Sequence, residues 1–316
     1  VTEFLEILVF SFSITGPIFV ILALGIVLER AGIITDAFIE SGTRLVFNIA
    51  LPALLFISIS KTRLGVDTDL SLIAFGLVAT LVAYVLLEWY AARKVSPESD
   101  RGVVVQGGFR SNMGIIGLAY CVNAYGEPGL LVSSLYLGLV TILFNILSVI
   151  TLSRSLHKRQ GVWRIVRGIA TNPLIIAIGL ALPVSWFDIT LPALLLQSGQ
   201  YFADLTLPLA LLCTGASLNF RTLRGEIGNT LTAAACKLLV IPVLFTLVGA
   251  LLGFRGIDLG VLMLMSSAPT ATASYVMVRA MGGNATLAAN IVVLTTLGSL
   301  FTTSLGIMAL KGLGMM

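Results

Sequence analysis

The stretch GGFRSNMGIIGLAYCVNAYGEPG, Gly107–Gly129, sets Arg110, Ser111 and Asn112 side by side among clustered glycines, with apolar sequence on both flanks. The chain of 316 residues is 57% hydrophobic and 11% charged, and its mean hydropathy is +1.03. An ordinary soluble domain carries about a quarter charged residues. Apolar runs of about 20 residues, the length a helix needs to cross ~30 Å of hydrocarbon, recur along the whole chain. The chain therefore reads as an all-α integral membrane protein, and the quoted stretch as a polar interruption inside one of its spans.

Windows bounded by charges, Gly or Pro give ten expected transmembrane helices: Phe10–Leu28, Leu45–Ile59, Leu70–Tyr90, Val103–Tyr125, Leu130–Leu152, Ile169–Phe187, Leu191–Leu218, Ile227–Leu252, Leu259–Met281 and Ala285–Ala309. The first residues carry Glu3 and Glu6 and no basic cluster, so the first run reads as a permanent span rather than a secretory signal. With the N-terminus outside, most basic residues, among them Arg93, Lys94, Arg154 and Arg279, fall on the cytoplasmic side. Only Lys61, Arg63, Arg255 and Lys311 fall opposite, which favours an N-out, C-out topology.

A basic segment, residues 154–168, separates residues 1–153 from residues 169–316. It reads as a cytoplasmic topology anchor, and nucleic acid is not an expected partner. The lone histidine, His157, lies in this segment. Cys121, Cys213 and Cys236 follow no metal or CxxC spacing and read as small apolar residues.

An offset of 156 residues aligns Pro17 with Pro173, Pro52 with Pro208 and Asn48 with Asp204, and lays RSNMG from Arg110 on SSAPT from Ser266. Five spans per half is an odd number, so the second copy enters the membrane from the opposite side. Inverted repeats of this type underlie many secondary transporters, whose broken helices meet near the midplane. Both aligned spans carry breaking sequence. The fourth has Gly107, Gly108, Gly114 and Gly117, and the ninth has MSSAPTATASY with Pro269. Backbone groups freed there need protein, water or a ligand as partner, and a polar cavity is expected at the crossing.

Arg110 and Lys237 are the basic residues that fall within the spans. A buried guanidinium costs on the order of 3 kcal/mol unless it snorkels to the interface or meets an anion. Arg110 therefore has two readings, an interfacial side chain or a group offered to a carboxylate substrate. Asp204, near the middle of the seventh span, has three: a proton-coupling acid, the partner of Lys237 in an ion pair, or a residue at an aqueous position. Asn48, its counterpart by the repeat, is a polar position of the second span.

FRSNMGIIGLAYCVNAYGEPG, NPLIIAIGLAL, LPLALLCTGASL and APTATASYVMVRAMGGNATLAANIVVLTTLGS, in this order over nearly the whole chain, resemble the auxin efflux carrier family, in particular its bacterial members. The resemblance implies ten helices in two inverted five-helix repeats, with helices 4 and 9 crossing as broken helices. Helices 1, 2, 6 and 7 would form a scaffold and the rest a mobile transport bundle. It also implies a substrate site at Arg110, Ser111, Asn112, Met113, Ser267, Pro269 and Thr270, a homodimer, and a plasma (bacterial inner) membrane location. Plant members carry a proline at the first break, where this chain has Met113 and Gly114.

The function expected is a secondary active transporter of small organic anions such as mono- or dicarboxylates, moving by an elevator-like mechanism. Coupling to protons is expected over coupling to sodium: the distantly similar bile acid sodium symporters use acidic and amide ligands for sodium, whereas the ninth span here holds no acid, and no cofactor or metal is expected. The alternative is a transporter-like membrane sensor that binds an organic anion without net transport. An enzyme is not expected, because no GxGD, GxSxG or HExxH sequence occurs.

Overall fold

The computed structural model describes residues 2–61, 70–157, 167, 170–218 and 227–316. Most of the basic segment at residues 154–168, with Arg63, Arg221 and Arg224, lies outside the described residues. Among the described residues the chain is helical, with one isolated antiparallel bridge between Ser111 and Thr270 and no named strand.

Helix α1 spans Thr2–Arg30. Helix α2, Asp36–Ser60, is capped by the Thr35 hydroxyl, which accepts from the Phe38 amide at 3.3 Å. Helix α3 spans Ser71–Lys94 and α4 spans Glu98–Phe109. Helix α5, Met113–Ser155, turns sharply at Gly126, whose φ of 63° suits a residue without Cβ. Helix α6, Pro173–Trp186, starts on a proline behind the capping Asn172, and α7 spans Ala193–Ala216. Helix α8 covers Ile227–Leu251, α9 covers Gly256–Ser267, α10 covers Thr272–Ala280 and α11 covers Ala285–Gly312.

Six of these, α1, α2, α3, α5, α8 and α11, are long and apolar enough to cross a membrane. As the breaking sequence leads one to expect, the fourth and ninth runs are interrupted: each is divided by an extended segment, between α4 and α5 and between α9 and α10. The fourth and fifth runs are two helical stretches that meet at the non-helical Gly126 (φ 63°, ψ −141°), beside the expected boundary between them.

Three helices contain a widened π turn among the described residues: Met113–Gly117 opens α5, while Val46–Ala50 in α2 and Cys236–Val240 in α8 each end just before a proline, Pro52 or Pro242. Proline has no N–H for the preceding turn and its ring crowds that turn's carbonyl, and the widened turn relieves both.

The helices pack as two groups. In one, α7 lies against α1 and α2, and α6 lies against α2. The α1–α7 approach depends on Gly25 and Gly215, because a Cβ on either would collide with backbone of the facing helix. In the other, α4 packs on α3, α5 and α8, α9 on α5 and α8, and α10 on α11. Phe109, the last residue of α4, makes edge-to-face contacts with Tyr84 of α3 and Phe144 of α5, at ring separations of 5.7 and 5.6 Å. This packing fixes the point where α4 gives way to extended chain.

Candidate functional site

The two helix interruptions meet. Helix α4 stops where Arg110 turns extended (φ −81°, ψ 97°), and α9 stops where Ala268 does (φ −55°, ψ 141°). The freed backbone groups serve each other across the crossing. The Asn112 amide donates to the Pro269 carbonyl at 2.7 Å and the Ala271 amide to the Arg110 carbonyl at 3.0 Å. The Thr270 hydroxyl donates to the Gly107 carbonyl at 2.6 Å, and its amide donates to the Thr295 hydroxyl of α11 at 3.1 Å. The crossing is tight. Gly117 faces Ala268 and Met265, and a Cβ there would lie 2.8 Å from the Met265 sulfur.

Among the described residues the crossing is closely packed rather than opened into a roomy polar cavity. The enclosed space against it, lined by Ser111, Met113, Ser266 and apolar neighbours including Phe109 and Tyr136, measures ≈ 10 Å³, about the space one water occupies. The breaks satisfy their backbone groups by pairing with each other, which removes the need for solvent.

Arg110 is 6% exposed and does not reach an interface. Its guanidinium donates to Asn145 Oδ1 at 2.7 Å and Ser148 Oγ at 3.1 Å, both on α5, and to the Met277 sulfur of α10 at 2.8 Å. Lys237, on the π turn of α8, is fully buried. Its ammonium donates to the Ser111 hydroxyl and the Ser266 carbonyl, both at 2.5 Å. Among the described residues neither cation has a carboxylate within ion-pair distance. Asn112 is buried, and its side-chain amide nitrogen lacks a partner. The site thus presents two buried positive charges and an unused donor, a surplus that an anion would neutralise.

Of the expected site residues, the structure brings Arg110, Ser111, Asn112, Met113, Ser267, Pro269 and Thr270 together, all buried. Asp204 stands apart. It is exposed on α7 and accepts from Gln200 Nε2 at 2.7 Å, and Gln200 in turn accepts from the Lys61 ammonium at 2.9 Å. The Asp204–Lys237 ion pair is therefore corrected, since Lys237 is bonded to Ser111 and Ser266 on the other side of the helix grouping. Asn48 is likewise exposed, on the π turn of α2.

A cleft of ≈ 1230 Å³ opens between the two helix groups. The ends of α1, α2 and α7 line one wall and α10 with the start of α11 the other; Glu29, Arg44 and Arg279 are among its charged residues, and Thr43, Thr214 and Thr272 among its hydroxyls. Ile115, two residues beyond Met113, also lines it, so the cleft runs to the neighbourhood of the crossing.

A family model described as "Membrane transport protein" matches residues 15–165 and 157–307. The chain belongs to this family, the auxin efflux carriers. An uncharacterized transporter of Methanothermobacter thermautotrophicus is 24% identical over 275 residues, covering 82% of this chain and 85% of that protein. A second uncharacterized transporter, from Methanocaldococcus jannaschii, is 23% identical over 290 residues, covering 87% of this chain and 90% of its own. This member of the auxin efflux carrier family is a multi-pass helical membrane protein of the transporter class. Both relatives are archaeal, so the expected bacterial placement rests on the resemblance alone.

Several residues of the carrier's crossing were not singled out from sequence. Asn145, Ser148 and Thr151 stand three apart in the apolar run ILFNILSVIT, a spacing that puts all three on one helix face. That polar stripe was a usable signal for the face Arg110 meets. Met277 carried no such signal, since methionine is ordinary in a membrane helix.

Proposed function

We propose that this carrier moves small organic anions, mono- or dicarboxylates, by alternating access, with the anion held at the crossing of the two interrupted helices. The observation that carries the reading is the pair of buried cations, Arg110 and Lys237, at crossed helix breaks without a carboxylate partner among the described residues. A buried unpaired cation costs several kcal/mol, and a carboxylate that arrives with each cycle offsets this cost. Arg110 offers planar donors suited to a carboxylate, and Ser111, Asn112 and Thr270 orient it.

The ≈ 1230 Å³ cleft supports an elevator-like movement of one helix group against the other, with this conformation open on one side. By the positive-inside rule the cleft, with Arg30, Arg44 and Arg279 around it, faces the cytoplasm, which is the N-out, C-out topology. The inverted five-helix repeat, with ten spans in all, draws support from Gly126 and Gly282. They lie 156 residues apart, the offset of the sequence alignment, and take φ of 63° and 73°. A homodimer is supported by α7, which exposes Leu194, Leu195 and Tyr201 beside the polar chain Lys61–Gln200–Asp204, a face that a second copy would cover. Asp204 is the proposed proton-coupling acid.

Uptake of labelled mono- and dicarboxylates into proteoliposomes, with and without a pH gradient, tests the reading. Saturable accumulation of one of them is expected. Saturable binding without accumulation would instead assign a sensor, and no response to any carboxylate would overturn the anion site.

A further inference from the structure

The substrate reading uses the charge of Lys237 but not its contacts. Its ammonium is held by oxygen atoms from both interruptions, the hydroxyl of Ser111 after α4 and the main-chain carbonyl of Ser266 in the last turn of α9. Carbonyls at a helix C-terminus lack helical partners and carry partial negative charge, which favours a cation there. The lysine stands on a π turn, and such turns recur at functional sites.

The charged groups on the packed elements are Glu98, Asp100 and Arg101 in the first turn of α4, Asp258 in the first turn of α9, Lys311 in the last turn of α11, and Glu88, Arg93 and Lys94 toward the end of α3. None of these is a partner of Lys237, and the Arg110 guanidinium is engaged by Asn145, Ser148 and Met277. An ammonium bound by a hydroxyl and a carbonyl, without a carboxylate, is held by hard oxygen donors, the ligand type that hard cations take.

We propose that the Lys237 ammonium is a built-in cation that joins the two crossing helix breaks, taking by covalent tether the place a dissolved monovalent coupling ion would hold. The proposal rests on the crossing being the substrate site, and it deepens that reading. The group that organises the crossing is then tethered and cannot diffuse away, so the wild-type carrier needs no sodium at this position. Lys237 is a positioning residue. It sets Ser111 and its neighbours for the anion and adds a fixed charge beside them.

The test uses full-length protein purified in sodium-free N-methyl-glucamine chloride. Thermal unfolding is followed as sodium, lithium or methylammonium chloride replaces it at constant ionic strength. Wild-type Tm is expected to be the same in every salt, because its cation is already in place; a saturable rise with one cation in wild type would overturn the proposal. Lys237→Ala is expected to unfold earlier and to regain about 5 °C with sodium, lithium or methylammonium. Removing the hydroxyl ligand as well, in Lys237→Ala with Ser111→Ala, should weaken that recovery at least about tenfold in the cation concentration required. Equal response of Lys237→Ala to every cation, N-methyl-glucamine included, would overturn it.

In proteoliposomes, carboxylate uptake by Lys237→Ala should become stimulated several-fold by sodium, an effect that a purely structural lysine would not create. If no carboxylate is carried by wild type, the substrate reading fails while the unfolding series still decides the cation. Should Lys237→Ala fail to fold in any salt, the same salt series on Lys237→Met decides the proposal, with the same outcomes supporting or overturning it.

Discussion

The helix crossing and the outer face of α2 and α7 were marked by the same signal, a polar residue in an apolar run, and they differ in how the fold treats it. At the crossing, Arg110, Ser111, Asn112, Lys237 and Thr270 are buried and bonded to groups far away in sequence. On the outer face, Asn48 and Asp204 are exposed, and Asp204 bonds to Gln200 one turn before it. A polar side chain that draws partners from several helices reports a site. One that is met by its own helix reports a surface.

The largest expected effect breaks the crossing's charge. Arg110→Ala should lower carboxylate uptake about 100-fold, the consequence of losing some 3 kcal/mol of anion stabilisation. Because the lost contact is to substrate, Tm should fall by only a few degrees, and flux and thermal unfolding measured on the same preparation separate the two. A smaller effect follows from loosening the guanidinium's hold. Asn145→Ala removes the 2.7 Å bond to Arg110 and is expected to raise the apparent KM about tenfold with little change in maximal rate, read from uptake at graded substrate concentrations.

The crossing's backbone can be probed separately. Thr270→Val deletes the hydroxyl bond to the Gly107 carbonyl and leaves that buried acceptor unmet, at a cost of about 1–3 kcal/mol. Reduced Tm together with slowed transport is the expected pairing. The smallest effect belongs to the outer face: Asp204→Asn should keep carboxylate affinity within about twofold while abolishing acceleration by an inward proton gradient. Unchanged gradient dependence would remove Asp204 from the coupling.

Much of the fold was legible because hydrophobic runs report helices directly, and glycine clusters with Pro269 report where they break. The meeting of the breaks was legible through the alignment of Arg110 with Ser266. What could not be read was direction. Nothing in the run around Lys237 shows that its π turn carries the ammonium to Ser111 and Ser266, and only the folded helix packing separates it from Asp204. The cavity was also misjudged for a physical reason. Sequence reveals that backbone groups are freed at a break, but not that a second break stands opposite with complementary groups, as Asn112 and Ala271 do for Pro269 and Arg110.

The central claim, that the crossing is an anion site organised by Arg110, is tested most directly by labelled carboxylate uptake into proteoliposomes holding wild type or Arg110→Ala at equal protein content. The account predicts that at least one mono- or dicarboxylate accumulates with wild type and that the substitution lowers its initial rate about 100-fold. Wild-type rates in the Arg110→Ala carrier would contradict it.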